Sequence, residues 1–117
     1  MSDLDAALDA IRSHPGVEHV LVLGRDGLLI QHAGDRSLDA ETVSAMIPGI
    51  ASAVQGLAGA SGAGAARMVV ARMEHGVAVV SILSAEILLA VLLAGDVGFA
   101  PLLRELGERH DTLASLV

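Results

Sequence analysis

Apolar residues recur along this chain at two different spacings. Near the N-terminus, Leu4, Leu8 and Ile11 follow each other every three or four residues, the period of a helix with one buried face. Other apolar stretches are short and nearly continuous, which is typical of buried strands. The pattern predicts a helix over 3–13, strands over 17–24 and 28–33, a helix from Ser37 to about Ser61, strands over 67–74, 77–84 and 87–94, and a last helix capped by Asp96.

Two glycine-containing turns connect predicted strands into hairpins. Asp26-Gly27 joins the first two strands, and His75-Gly76 joins the third and fourth. The resulting order, α-β-β-α-β-β-β-α, predicts one α+β domain over residues 1–117, an α/β sandwich with a five-stranded, mainly antiparallel sheet flanked by helices. We expect the strand over 87–94, which is apolar on both faces, to be the most enclosed.

The long second helix has two different faces. Five larger apolar residues form a stripe that we expect to pack on the sheet: Val43, Ile47, Ile50, Val54 and Leu57. A second face holds one methionine and small residues: Met46, Gly49, Ser52, Ala53, Gly56 and Ala60. By analogy with membrane helices, small residues at four-residue spacing let two backbones approach closely, so this face favours a partner helix. Packing flat on its own sheet is the alternative.

Composition removes several function classes. Without Cys there is no disulfide, thiolate metal site or cysteine nucleophile, and without Lys there is no phosphate-binding P-loop or Schiff base. The net charge of −7 disfavours nucleic acid or an anionic membrane surface as a partner. The apolar stretch 42–66 is diluted by glycine, serine and Pro48, so we expect no membrane insertion. The acidic N-terminus lacks the pattern of a secretory signal, so we expect a cytoplasmic protein.

Candidate chemistry is sparse. None of the five histidines has the spacing of a zinc motif; His19 and His32 lie on the two strands of the first hairpin, where a structural role is the more common one. The glycines over 59–64 follow a helix and lack a neighbouring Lys, unlike a phosphate loop. We therefore predict no catalytic residue, metal or cofactor.

Short motifs in a consistent order resemble the roadblock / dynein light chain family, particularly its bacterial MglB-like branch. They cover essentially the whole chain: Pro15-Gly16-Val17, Asp26-Gly27-Leu28-Leu29-Ile30, Ala51-Ser52-Ala53-Val54, Val69-Val70 followed by Met73-Glu74-His75-Gly76, and Ile87-Leu88-Leu89-Ala90-Val91 followed by Asp96-Val97-Gly98.

The resemblance implies a roadblock/profilin-like fold and a homodimer that joins sheets through the third strand and pairs the second helices. It adds four strand residues to the helix face as candidate interface: Arg67, Val69, Ala71 and Met73. Two arginines on opposite faces of that strand, which blunt a solvated edge, are the alternative explanation. Pro48 departs from the expected pairing helix, since proline kinks or breaks a helix.

The resemblance also implies a Ras-like small GTPase as partner, with the chain a scaffold or regulator and not an enzyme, in some members a GTPase-activating one. For such an activity an arginine finger is the one catalytic role to weigh, with Arg25, Arg36 and Arg67 as candidates. The alternative is a dimeric adaptor for a sensor kinase or another multiprotein complex, without nucleotide dependence. A third possibility, an enzyme or small-molecule sensor with a cavity above the sheet, lacks convergent polar groups in the sequence.

Overall fold

The computed structural model describes residues 2–117, and Met1 lies outside that part. Its elements follow the predicted order up to the last helix, which is divided in two. In chain order they are α1 (Asp3–Arg12), β1 (Val17–Gly24), β2 (Leu29–Ala33), α2 (Ala40–Ser61), β3 (Met68–Met73), β4 (Gly76–Ile82), β5 (Ile87–Ala94), α3 (Ala100–Glu108) and α4 (His110–Ser115).

The strands form one five-stranded sheet in the order β2-β1-β5-β4-β3, and every neighbouring pair is antiparallel. The α+β fold with a helix-flanked sheet is therefore confirmed. β5 occupies the centre, as its apolar composition predicted. β2 and β3 form the two edges, and Ile30 is left without a partner where the register between β1 and β2 shifts.

Each face of the sheet has its own apolar core. The first core packs α1, α3 and α4 on one face; its buried members include Leu8, Ile11, Leu89, Leu102 and Leu113. The second packs α2 on the other face; its buried members include Leu21, Leu23, Ile47, Ala51 and Leu88. Because residues alternate along a strand, β3 contributes Met68 to the first core and Val69 to the second.

The start of α1 follows its sequence closely. The hydroxyl of Ser2 accepts a hydrogen bond from the amide of Asp5 at 3.1 Å, and the Asp5 carboxylate accepts one from the amide of Ser2 at 3.3 Å. This reciprocal capping box satisfies amides that have no partner inside the helix. The predicted cap at Ser2 is thus confirmed.

The predicted start of α2 at Ser37 is wrong, because Asp39 caps the helix instead. The Asp39 carboxylate accepts hydrogen bonds from the Thr42 amide at 3.2 Å and the Thr42 hydroxyl at 2.6 Å. These bonds lower the pKa of Asp39. Ser37 donates both its amide and its hydroxyl to Asp35, which holds it in the preceding loop. Ser37 and Asp39 are both suitable caps. Because the Ser37 side chain is bonded to Asp35, Asp39 caps the helix.

The predicted single last helix capped by Asp96 is also wrong. α3 begins at Ala100 after Phe99, which provides no side-chain cap, and Pro101 occupies its first turn, where proline costs no hydrogen bond. The helix ends at Glu108, directly after Gly107, and α4 begins at His110. The Nε2 atom of His110 lies 2.9 Å from the Ile82 carbonyl and fixes the start of α4 to the end of β4.

Candidate interaction surface on α2 and β3

The outer face of α2 is uncharged and exposed. The predicted residues Met46, Gly49, Ser52, Ala53, Gly56 and Ala60 are all exposed there. Met46 has 67% of its surface exposed. Together with Arg67, Val69, Ala71 and Met73 of the β3 segment, these six residues make up what we call the α2–β3 surface. α2 continues without interruption through Pro48, so of the two expected effects, a kink or a break, the break does not occur.

One residue of the predicted core stripe, Leu57, does not face the sheet. Leu57 is 65% exposed, whereas Ile47, Ala51 and Ala58 are buried against the sheet. At 100° per residue, Leu57 lies about 80° around the helix from Ile47. Because Leu57 follows Val54 by three residues, the sequence pattern assigned it to the same face of the helix. Leu57 therefore extends the outer face and adds a second large apolar side chain to it.

Two glycines lie directly behind the buried side of α2. Gly49 and Gly56 are roughly 160–180° around the helix from Ile47. A Cβ atom built on either would have no neighbour within 4 Å. Glycine in a helix interior costs about 1 kcal/mol relative to alanine. Gly59, further along the same helix, also has open space at its Cβ position, so all three glycines leave the backbone of α2 uncovered by the described residues of this chain.

The β3 segment provides the adjoining part of the surface. Val69 packs in the core below α2, and Ala71 and Met73 follow it on the same side of the strand. Met73 is 55% exposed and Arg67 is exposed, while Val69 and Ala71 are half-buried. Because β3 has a strand on one side only, its outer edge presents unpaired backbone groups. The structure thus places Val69, Ala71 and Met73 on the α2 side of the sheet, whereas Arg67 lies towards the α3–α4 corner.

The histidine pair of the first hairpin does meet. The Nδ1 atom of His19 lies 3.0 Å from the Nε2 atom of His32, so one ring donates a hydrogen bond to the other. Partial burial, and then the neighbouring His19 and Arg12, lower the pKa of His32. Within residues 2–117 no third histidine, cysteine or carboxylate joins them in a metal-binding group. The geometry supports a structural hydrogen bond across β1 and β2.

The three candidate arginines lie apart from each other. Arg25 donates to the Ala85 carbonyl at 3.4 Å and to the Gln55 side chain of α2 at 3.5 Å, while Arg36 is exposed in the loop before α2. Arg67 lines a groove of about 500 Å³ between the start of β3 and the α3–α4 corner. His110 lies in the same groove, and its bond to the Ile82 carbonyl, followed by that to Asp111, raises its pKa.

Two further exposed features accompany the surface. By length and composition alone, α2 is able to cross a membrane, although its Ile47 side packs on the sheet.

Leu28 and Ile30 are 69% and 51% exposed at the β2 edge, on the far side of the sheet from β3. The sequence placed both in a strand but gave no indication of their exposure.

A model of the Roadblock/LC7 domain matches residues 3–93 of the sequence. The chain belongs to the Roadblock/LC7 family. A search among curated proteins finds no significant match. The sequence resemblance to this family is therefore confirmed by a match that extends from α1 to β5.

Solved structures of the family share the fold. The Roadblock/LC7 domain from Streptomyces avermitilis is 24% identical, with a TM-score of 0.85 and 97% of both chains covered. Gliding protein MglB from Thermus thermophilus is 18% identical with a TM-score of 0.84, covering 97% of this chain and 87% of that one. MglB from Myxococcus xanthus is 17% identical with a TM-score of 0.86, covering 98% and 94%. Another MglB structure has a tetrameric arrangement.

Proposed function

We propose that this chain is a homodimeric regulator or scaffold that binds a Ras-like small GTPase in the cytoplasm and alters its nucleotide cycle or localisation. It has no chemistry of its own in this proposal. Membership of the Roadblock/LC7 family supports it, as does the likeness to MglB. The observation that carries it is the α2–β3 surface, which combines an exposed helix face holding Gly49 and Gly56 with an open strand edge at β3.

Self-association is the first part of the proposed function, because a second copy of the chain would cover the α2–β3 surface. A second α2 lying against Gly49 and Gly56 gains contact that larger side chains would prevent. A second β3 satisfies both open edges at once, since a two-fold axis makes the contact identical for each copy. Pairing through α2 would account for the uncharged helix face and Met46, and pairing through β3 would account for the unpaired strand edge.

The GTPase then binds the pair of α2 helices and the loops beside them. With a net charge of −7, the chain attracts a basic patch on the partner and speeds the encounter. Arg36 is exposed in the loop before α2, which makes it the candidate arginine for contact with the bound GTPase. Regulation does not require an arginine finger, since a bound protein can also rearrange the catalytic residues of the GTPase itself.

The test is binding to Ras-like GTPases from the same genome, each loaded with GDP or with a slowly hydrolysed GTP analogue. We expect one nucleotide state to bind at least tenfold more tightly, a difference of about 1.4 kcal/mol. Equal affinity for both states would favour the nucleotide-independent adaptor, and no binding in either state would remove the proposed function. Arg36→Ala, compared with Arg104→Ala on the exposed side of α3, separates a catalytic contribution from a general loss of positive charge.

A further inference from the structure

The groove between the start of β3 and the α3–α4 corner has the size of a small-molecule site. Its volume is about 500 Å³, and such sites usually measure roughly 300–1,000 Å³. Three separate parts of the chain line it: residues 65–68, the end of β4, and the residues where α3 meets α4. The fold therefore brings together groups that no local motif of the sequence connects.

Part of the groove is apolar. Ile82 and Leu106 are buried there, and Met68 is half-buried beside them. Ser81, which lies opposite Met68 in the β3–β4 ladder, also lines the groove and is 2% exposed. Its side chain is on the same face of the sheet as that of Met68, since directly paired residues face the same way. These residues can cover the apolar part of a small molecule and remove it from water.

Four ionisable groups line the same groove, and two of them satisfy each other. The Nε2 atom of His110 lies 2.9 Å from the Ile82 carbonyl oxygen, and its Nδ1 atom lies 3.1 Å from the Asp111 carboxylate. Both bonds form together only when each ring nitrogen carries a proton. The bond to Ile82, followed by that to Asp111, raises the pKa of His110. The positive ring and the Asp111 carboxylate therefore neutralise each other.

Arg67 and Glu108 are the two remaining charges of the groove. Both side chains are exposed, and the ion pairs formed within residues 2–117 involve neither of them. Arg67 directly precedes β3 and Glu108 is the last residue of α3, so they reach the groove from different elements. A guanidinium group suits a carboxylate, to which it can donate two parallel hydrogen bonds, and a carboxylate suits an ammonium group. A single ligand that pairs with both must carry both charges.

We propose that this groove binds a free α-amino acid with an apolar side chain. The ligand carboxylate accepts hydrogen bonds from Arg67, and its ammonium group donates to Glu108. Its side chain packs on Met68, Ile82 and Leu106. A molecule with only one of the two charges leaves the other protein charge unpaired. The groove is formed by one chain, so this site depends neither on the homodimer nor on the GTPase.

Three probes with the same branched side chain separate the two charges: leucine, isocaproate, which lacks the ammonium group, and isoamylamine, which lacks the carboxylate. Nuclear magnetic resonance of the isotope-labelled chain follows each titration. We expect leucine to shift the amides of Arg67, Ile82 and Gly107 with a dissociation constant of about 1 mM, and each analogue to bind roughly fivefold more weakly. No saturable shift with leucine at about 20 mM would overturn the proposal. Isocaproate binding as tight as that of leucine would overturn the role of Glu108.

Two charge variants assign the ligand's groups to the two side chains. Arg67→Gln should weaken leucine binding roughly fivefold and leave isoamylamine unchanged, whereas Glu108→Gln should weaken leucine binding similarly and leave isocaproate unchanged. Arg104→Gln removes an exposed positive charge of α3 outside the groove and is the matched control. Light scattering checks that each variant has the mass of the unmodified chain. Equal losses for Arg67→Gln and Arg104→Gln would overturn a direct contact with Arg67.

A variant that fills the groove provides an independent test. A Cβ atom at Gly107 meets nothing within 4 Å, and the residue lines the groove, so the side chain of Gly107→Met occupies part of the ligand's space. Methionine is also the better helix former, so we expect a chain that folds but no longer binds leucine. Circular dichroism measures the fold. Unchanged leucine binding by the folded variant would overturn the position of the site.

Discussion

Gly56 shows how one residue can carry information about a contact outside the chain. A Cβ atom there meets nothing within 4 Å, and the residue lies opposite the buried side of α2. Its helix would be more stable with almost any other residue. In the proposed homodimer, the missing side chain lets a neighbouring helix approach the backbone of α2 at this position. We therefore predict that a small side chain at this position stabilises the folded subunit and that a large one disrupts its assembly.

Gly56→Ala should raise the free energy of unfolding of the isolated subunit by about 0.5–1 kcal/mol, because alanine is the better helix former. Gly56→Leu should leave the fold intact and dissociate the homodimer, because its side chain occupies the space of the second helix. Ala10→Leu, a similar enlargement on the exposed side of α1, is the control and should remain dimeric. Far-UV circular dichroism measures the fold and light scattering the mass. A Gly56→Leu dimer as tight as the unmodified one would contradict the interface.

Two histidines should make stability depend on pH in opposite directions. The pKa of His110 is raised in the folded chain, so its contribution is complete below the usual value of 6.5 and is lost as the pH rises through the folded value. The pKa of His32 is lowered, so its contribution is present above 6.5 and is lost as the pH falls. The sign in each case follows from whether folding favours the protonated ring.

Urea unfolding followed by circular dichroism, from about pH 5.5 to 8, measures both effects. His32→Gln should reduce the loss of stability on the acid side, and His110→Gln the loss on the alkaline side, since each glutamine keeps a donor but does not titrate. The two variants are controls for each other. Identical pH profiles for both variants and the unmodified chain would show that neither ring titrates differently on folding.

At the scale of elements, the strands were predicted closely and the helix starts were not. β1 and β5 have the predicted bounds, because continuous apolar runs and the Asp26-Gly27 turn define strands locally. The start of α2 was misplaced because Ser37 and Asp39 are both good caps, and the choice depends on the Ser37–Asp35 bonds of the folded loop. Leu57 was misassigned because spacing alone does not show how a helix is rotated on its sheet.

The corrected cap can be measured directly. Asp39→Ala should lower the free energy of unfolding by about 1 kcal/mol, because the Thr42 amide and hydroxyl lose their acceptor. Ser37→Ala should cost much less, since the Ser37 amide still bonds to Asp35. Chemical unfolding of both variants provides the comparison. A larger loss for Ser37→Ala would return the start of the helix to Ser37.

At the scale of the whole molecule, the sheet has two faces with different roles. Helices α1, α3 and α4 cover one face, and α2 covers the other while exposing its own outer side. The sequence indicated this surface through composition, since the helix has no charged residue after Glu41 and carries glycine. Its companion strand came from the family resemblance, because only topology reveals that β3 is an edge. The identity of a GTPase partner is not encoded in any motif of the chain.

The mass of the unmodified protein in solution tests the central claim most directly. With no Trp or Tyr, the chain absorbs little near 280 nm, so light scattering with refractive-index detection is the suitable method. At about 10 µM, a concentration well above a submicromolar dissociation constant, we predict a species of twice the 11.9 kDa subunit mass. A stable species of 11.9 kDa at that concentration would contradict a second copy on the α2–β3 surface.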